Sequence, residues 1–184
     1  MPTTYIVLIV TALLVLFLIM SFNRLVALRN RVQNAWSSID VQLKRRHDLI
    51  PNLVESVKGY MAHERETLDA VTNARTQAMA AGSNVAARAA AEGALTGALG
   101  NLFAVAERYP ALRAVESMTQ LQEELSSTEN RIAYARQSYN DSAMEYNTAQ
   151  STFPRNMVAG ILGFSPSTMF AAEESARTVP QVKF

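Results

Sequence analysis

Two histidines beside acidic residues are the side chains of this sequence best suited to hold a metal ion. His47 precedes Asp48, and His63 precedes Glu64, with Glu66 three residues further on. Imidazole and carboxylate groups are ordinary zinc ligands. Adjacent positions of a helix point in different directions, however, so neither pair forms a ready ligand set. We interpret the second cluster as a solvated helix start, where acidic side chains are favoured, and we expect neither a metal nor a cofactor.

Catalytic motifs that can be recognised by spacing are also missing from the sequence. There is no cysteine, and no HExxH, GxSxG, phosphate-binding glycine loop or dinucleotide fingerprint occurs. Tyr134, Tyr139 and Tyr146 fall in a region rich in apolar residues, where packing in a core is the ordinary role of tyrosine. The sequence therefore predicts a protein that is not an enzyme.

A run of three basic residues, Lys44 to Arg46, is the most unusual charged feature. Three successive helical positions cover about 200° of the circumference, so these side chains cannot all face solvent on a packed helix. At least one should meet a carboxylate or another subunit. Local ion pairs with Asp40 and Asp48 are one explanation, because both lie three or four residues away. The alternative is a polar contact between chains.

We take a wider set of residues as a candidate interface. Trp36 would anchor the same helix, and two aromatic residues near the C-terminus would add to the contact. The candidate residues are Trp36, Asp40, Lys44, Arg45, Arg46, Asp48, Asn52, Phe164 and Phe170.

Residues 5–22 contain eighteen residues without a charge, which is about the length that a helix needs to cross a bilayer. Arg24, Arg29 and Arg31 follow the segment and no basic residue precedes it, so the N-terminus should face outward and the rest inward. The competing interpretation is a cleaved signal peptide, which requires a basic start and a small-residue cleavage site. Neither is present, and we predict a single-pass anchor in the bacterial inner membrane.

Charge is distributed unevenly along the remaining chain, although the formal net charge is only +1. Residues 23–60 contain seven Lys and Arg against three Asp and Glu, whereas ten face thirteen from residue 61 onward. The basic part lies nearest the membrane, where anionic headgroups attract it. No basic face extends through the body, so nucleic acid is not an expected partner.

Helical periodicity runs through most of the chain. Apolar residues recur every three or four positions from Leu25 to Val57, and we expect Pro51 to bend this helix without ending it. A second helix is predicted over 63–79 and a glycine- and alanine-rich one over 85–106. We interpret the latter as a bundle helix, since Arg88 and Glu92 leave too short an uncharged run for a second membrane span.

The last long helix carries uncharged residues at a sustained 3.5-residue spacing from Ala111 to Phe153, which is typical of a coiled-coil-like seam. The predicted fold class is all-α: an N-terminal transmembrane helix continuous with an antiparallel bundle of about four helices. We divide the chain into 1–22, the anchor, 23–153, the bundle, and 154–184, a short apolar helix with a tail. The apolar tail residues, including Phe184, would cap the bundle or else contact a membrane surface or another subunit.

The stretch RVQNAWSSIDVQLKRRHDLIPNLVESVKGYMAHE, from Arg31 to Glu64, strongly resembles the LemA family of bacterial membrane proteins. The similarity extends to ERYPALRA at Glu107, to LQEELSSTENRIAYARQSYN at Leu121, and to the Gly163-Phe164 pair. The resemblance implies a membrane helix, a helical bundle inside the cell and no agreed enzymatic activity. Members of the family are often encoded near membrane proteases, and one is associated with building an internal membrane compartment.

Two functions of different classes follow from these observations. The first is a scaffold, in which many anchored copies assemble through their helices and organise or remodel the membrane. The second is an adaptor, in which a monomer or small oligomer binds and regulates a membrane protease or another envelope protein. We favour the scaffold, because a stiff helix from anchor to body would transmit the packing of neighbouring chains to the bilayer.

Overall fold

The computed structural model describes residues 2–113 and 115–170, and every regular element in that part of the chain is an α-helix. This confirms the predicted all-α class. The helices are α1 (Pro2–Lys58), α2 (Arg65–Ala80), α3 (Val85–Ala106), α4 (Pro110–Arg113), α5 (Glu116–Ser151) and α6 (Arg155–Ile161).

The described residues form two compact units. The first comprises residues 2–39 and 135–169, and the second comprises 40–113, 115–134 and 170. Helices α1 and α5 therefore contribute residues to both units. The predicted tail beyond residue 170, with Phe184, and the predicted seam position Ala114 lie outside the described residues.

The second unit has a hydrophobic core to which helices α1, α2, α3, α4 and α5 all contribute. Leucine and valine side chains at three- and four-residue spacings point inward, as amphipathic helices require. Its most buried members are Leu53 and Val57 of α1, Val71 of α2, and Leu95 and Leu102 of α3. Leu125 of α5 completes the cluster.

Helix α1 continues through Pro51, as the sequence predicted, and ends seven residues later at Lys58. Proline has no N–H, so the carbonyl of His47, four residues earlier, loses its helical partner. Arg75 of α2 replaces that partner, since its Nε donates to the His47 carbonyl oxygen at 2.8 Å. The break in the ladder is thereby repaired from a neighbouring helix.

Helix α3 lies on the core through Leu95, Leu99 and Leu102. By length and composition it is one of two described helices that could cross a membrane, the other being α1. Its Glu92 is fully buried and paired with Arg46 of α1. This pairing is expected of a helix that packs in a bundle. Gly93 and Gly97 lie off this buried face, and a Cβ added to either would meet open space, so they do not serve a close helix contact within the described chain.

The long helix α5 begins at Glu116, later than the predicted Ala111, because Pro110–Arg113 forms a separate turn of helix. Most of the predicted seam is buried within the chain, including Met118, Leu125, Ile132 and Ala135. The seam is thus covered by the protein's own helices. The expectation that Tyr134 packs in the core is wrong: it is 74% exposed, because it falls between two seam positions and faces away.

The first unit pairs the early part of α1 with the end of α5. Leu25, Leu28 and Val32 are buried on α1, and Tyr139 and Tyr146 are buried on α5. Arg24 lies 2.8 Å from Glu145, while Trp36, twelve residues further along α1, packs on Tyr139, six residues earlier on α5. The two helices therefore run antiparallel.

The apolar segment, residues 5–22, forms the N-terminal part of α1. Its large apolar side chains are exposed along its length, in contrast to those of residues 25–39. The eighteen residues of this segment span about 27 Å as a helix, close to the thickness of a hydrocarbon core. Such a surface needs lipid or protein around it.

Candidate functional site

A buried cluster of charged side chains is the most distinctive site in the second unit. Arg46 is only 2% exposed, and Glu92 is completely buried. Arg46 Nη1 lies 3.4 Å from Glu92 Oε2 and 3.1 Å from Glu129 Oε2, while its Nη2 donates to Thr96 Oγ1 at 2.8 Å. His47 Nε2 lies 2.9 Å from the other oxygen of Glu92. Helices α1, α3 and α5 thus meet at one guanidinium.

Electrostatics explains why these groups occur together. An unpaired ion in a protein interior costs several kcal/mol, so a buried arginine requires carboxylates and hydrogen-bond acceptors around it. The second oxygen of Glu92 lies within hydrogen-bond distance of His47 Nε2, so one carboxylate contacts both side chains. Glu92 therefore satisfies two neighbouring side chains of α1 at once, and the cluster fixes how α3 lies on α1.

The other charged residues of the predicted interface occupy the surface of α1. Lys44 Nζ lies 3.0 Å from Asp48 Oδ2, and their side chains are 79% and 60% exposed. Arg45 is half exposed and approaches Glu124 at 3.9 Å. Asp40 pairs with Arg88 of α3 instead of Lys44. Asn52 is exposed.

The three residues of the predicted basic run thus lie in different environments. Arg46 is buried and paired inside the chain, whereas Lys44 and Arg45 lie on its surface. Local ion pairing accounts for Lys44 and Asp48, but the partners of Asp40, Arg45 and Arg46 come from other helices. The interface role of the exposed residues stays a prediction.

The aromatic members of the predicted interface occupy different places. Trp36 is half-buried and packs edge-on against Tyr139, with ring centroids 5.5 Å apart. Phe164 packs in the same manner on Phe22, at 5.9 Å. Phe170 is buried.

Two buried tyrosines hold the chain that follows α6 against α5. The Tyr139 hydroxyl donates to the Thr168 carbonyl at 2.8 Å, and the Tyr146 hydroxyl donates to the Ser165 carbonyl at 3.1 Å. Asn147 exchanges two hydrogen bonds of 2.8 Å with the backbone of Ser167. Burial raises the pKa of both tyrosines, and Arg29 partly offsets the rise in the pKa of Tyr146.

Sequence reasoning missed the acidic half of the cluster. Glu92 is the lone acid of an alanine- and glycine-rich helix, and a carboxylate there signals a buried basic partner. Its pairing with Arg46 spans 46 residues, so local spacing could not reveal it. The role of His47 was hidden for the same reason.

The cluster offers little capacity for a metal ion. Among the described residues, no group of three or more His, Cys, Asp or Glu side chains could hold one. A cleft of ≈ 330 Å³ opens beside Arg46, lined by Leu99, Phe103, Leu125 and Glu129 among others. Arg46 already has carboxylate and hydroxyl partners at this cleft, so its charge is not left free for an anionic ligand.

Comparison with known proteins gives consistent relatives. The sequence profile of the LemA family matches residues 35–184. Magnetosome protein MamQ 2 of Paramagnetospirillum magneticum is 28% identical over 186 residues, which cover 88% of this chain and 68% of that protein. Magnetosome protein MamQ of Magnetospirillum gryphiswaldense is 26% identical over 193 residues, covering 90% and 71%. Protein LemA of Metamycoplasma hominis is 30% identical over 155 residues, covering 84% and 71%.

Proposed function

The chain is a membrane-associated protein that belongs to the LemA family, and from this premise we propose that it is a non-enzymatic, self-assembling scaffold of the bacterial inner membrane. Many copies, each anchored by residues 5–22, would assemble side by side and organise or remodel the bilayer. Two of the relatives are named as magnetosome proteins, and neither name is that of an enzyme.

One observation carries this proposal: α1 is continuous from the apolar segment into the packed part of the first unit. Residues 5–22 continue as the same helix into residues 23–39, which pack against α5 within that unit. Proline and glycine, the usual causes of kinks, do not occur from Thr3 to Ile50. A contact between neighbouring copies of the chain would therefore set the angle at which each helix enters the lipid.

The proposed topology places the N-terminus outside the cell and the bundle in the cytoplasm. Arg24, Arg29 and Arg31 follow the apolar segment directly, and their side chains are exposed. Basic residues beside a membrane span are retained on the cytoplasmic side, which supports this orientation.

We place the contact between copies on the exposed face of α1. Lys44, Asp48 and Asn52 recur every four residues on one stripe, and Arg45 and Val41 flank it. Val41 is 63% exposed. Charges of both signs around an apolar side chain favour a specific, self-complementary contact.

Crosslinking of a single cysteine tests this placement, because the natural chain contains none. Val41→Cys in native membrane vesicles should give covalent dimers with a short bifunctional maleimide. Met79→Cys on α2 has similar exposure but lies off the proposed face, so it serves as the matched control. Adding Lys44→Glu and Arg45→Glu to Val41→Cys should abolish the dimers.

The charge reversals test assembly without disturbing the fold, since both side chains are at least half exposed and exposed ion pairs contribute less than about 1 kcal/mol. Equal crosslinking at positions 41 and 79, or dimers that survive both reversals, would refute this interface.

A further inference from the structure

We propose that α6 is a second membrane contact, an interfacial helix that rests in the headgroup region of the same leaflet from which α1 emerges. The inference depends on the proposal that residues 5–22 span the bilayer. It adds a second lipid-binding surface, formed by residues near the C-terminal end of the first unit.

The first observation is the pattern of exposure on α6. Val158 and Ala159 are buried, so one face of the helix is covered by protein. Met157 and Ile161 lie four residues apart on another face and are 61% and 80% exposed. Phe153 and Leu162, just outside the helix ends, are also exposed, at 75% and 52%.

Four large apolar side chains within ten residues make an exposed patch, and such patches mark contacts with protein or lipid. The patch does not consist of small residues such as alanine and glycine, which are common on protein surfaces, because its four members are among the largest apolar types. A helix of seven residues is about 11 Å long, so it can lie on a membrane but cannot cross one.

The second observation is the position of this patch beside the apolar segment. Phe164 packs on Phe22, the last residue of that segment, with ring centroids 5.9 Å apart. Ile161 precedes Phe164 by three residues, so their Cα atoms are separated by at most about 11 Å. The patch therefore adjoins the level at which α1 would leave the hydrocarbon core.

The third observation is that this position is held firmly. Leu162 N donates to the Val158 carbonyl at 3.0 Å, and Phe164 N donates to the Ala159 carbonyl at 3.1 Å, which closes the end of α6. Gly163 lies between them at φ +70°, a backbone conformation that favours glycine. The following residues are bound to α5 by Tyr139, Tyr146 and Asn147.

Charge favours lipid as the occupant of this surface. The described residues of the first unit carry five arginines, at positions 24, 29, 31, 136 and 155, against Asp141 and Glu145. Arg155 begins α6 and is exposed. Apolar side chains flanked by arginine bind anionic bilayer surfaces through burial and electrostatic attraction together.

A fluorescent probe at single cysteines tests this inference in the full-length protein. Ile161→Cys would be labelled with the environment-sensitive dye NBD and reconstituted into vesicles of phosphatidylcholine and phosphatidylglycerol. The acyl chains would carry bromine, a contact quencher, either near the glycerol end or near the bilayer centre. We expect a blue-shifted emission at Ile161 and loss of fluorescence with the shallow bromines more than with the deep ones.

Two further sites make the result interpretable. Leu13→Cys, in the middle of the apolar segment, should be quenched most by the deep bromines. Ser138→Cys lies at an exposed position of α5, next to Tyr139. Tyr139 packs on Trp36, which is about 21 Å further along α1 than Phe22. A probe at position 138 should therefore show neither a blue shift nor quenching.

The outcomes separate the two proposals. Quenching at Leu13 without quenching at Ile161 would overturn the interfacial role of α6 and leave the anchor intact. A blue shift at Ile161 without quenching by either lipid would show that a second copy covers the patch, and would also overturn it. Absence of quenching at Leu13 would instead refute the membrane span itself.

Discussion

At the scale of single residues, Arg46 and Glu92 show how a charge pair can specify a fold. Their pairing joins α1 to α3 at a buried position, where apolar residues of similar volume often replace such pairs without loss of stability. A buried pair of this kind contributes little net stability relative to apolar residues, but either member alone is costly. The cluster therefore favours one arrangement of helices over its competitors.

Removal of one partner should reveal this asymmetry. Glu92→Gln keeps the shape of the side chain but removes its charge, and we expect a loss of about 3 kcal/mol in the free energy of unfolding. Addition of Arg46→Met should recover part of that loss, because it removes a buried cation that has lost the carboxylate of Glu92 and retains that of Glu129. The measurement is denaturant unfolding in detergent, followed by circular dichroism.

Glu129→Gln is the matched control, because its side chain contacts the same guanidinium but is 43% exposed. We expect it to cost less than about 1 kcal/mol. Equal losses for Glu92→Gln and Glu129→Gln would contradict the dominant role assigned to the buried carboxylate.

Buried tyrosines give the first unit a predictable response to alkaline pH. Burial raises the pKa of Tyr139 and Tyr146 above the ordinary value of 10.0, so the unfolded chain loses these protons at lower pH than the folded one. Their contribution to stability is complete below pH 10 and declines as pH rises through the folded-state pKa values.

Absorbance of tyrosinate tests this directly. In the folded protein, Tyr139 and Tyr146 should ionise above the ordinary pKa of 10.0, and Tyr139→Phe should remove one late-titrating group. Simultaneous ionisation of all tyrosines while the helical signal is intact would show that these two hydroxyls are not buried.

At the scale of elements, Pro51 and Arg75 form a repair between α1 and α2. The proline removes a hydrogen-bond donor from the helix, and Arg75 supplies another to the His47 carbonyl. Leaving a partly buried carbonyl without a partner costs about 1–3 kcal/mol. The arginine should therefore matter because of the proline.

A double-mutant cycle measures this dependence. Arg75→Ala should lower the free energy of unfolding by about 1–3 kcal/mol in the natural sequence. In a Pro51→Ala background the loss should be clearly smaller, because the restored N–H of residue 51 bonds the His47 carbonyl. Equal losses in both backgrounds would mean that Arg75 acts elsewhere.

Elements were easier to predict than the contacts between them. The apolar periodicity, which continues beyond Pro51, was sufficient to predict α1, because a helix depends mainly on residues three and four positions apart. Local spacing suggested Asp40 and Asp48 as partners for the basic run, yet Arg46 pairs with residues 46 and 83 positions away, Glu92 and Glu129. Such pairs depend on how helices pack, which a local pattern does not encode.

At the scale of the whole molecule, the proposed scaffold needs a membrane anchor joined to a packed unit and a free face for other copies. Residues 5–22 and their helical continuation supply the first requirement, and the stripe at Lys44, Asp48 and Asn52 supplies the second. Most of the predicted coiled-coil seam of α5 is buried within the chain, so the proposed contacts between copies would have to use other surfaces.

The mass of the complex formed by full-length protein is the most direct test of this scaffold. The protein would be extracted with its surrounding lipid into polymer-bounded particles and weighed by native mass spectrometry. We expect a uniform assembly of many 20.2 kDa chains, which dissociates when Lys44 and Arg45 are both replaced by glutamate. A single 20.2 kDa chain, alone or bound to one other membrane protein, would contradict the scaffold and favour an adaptor.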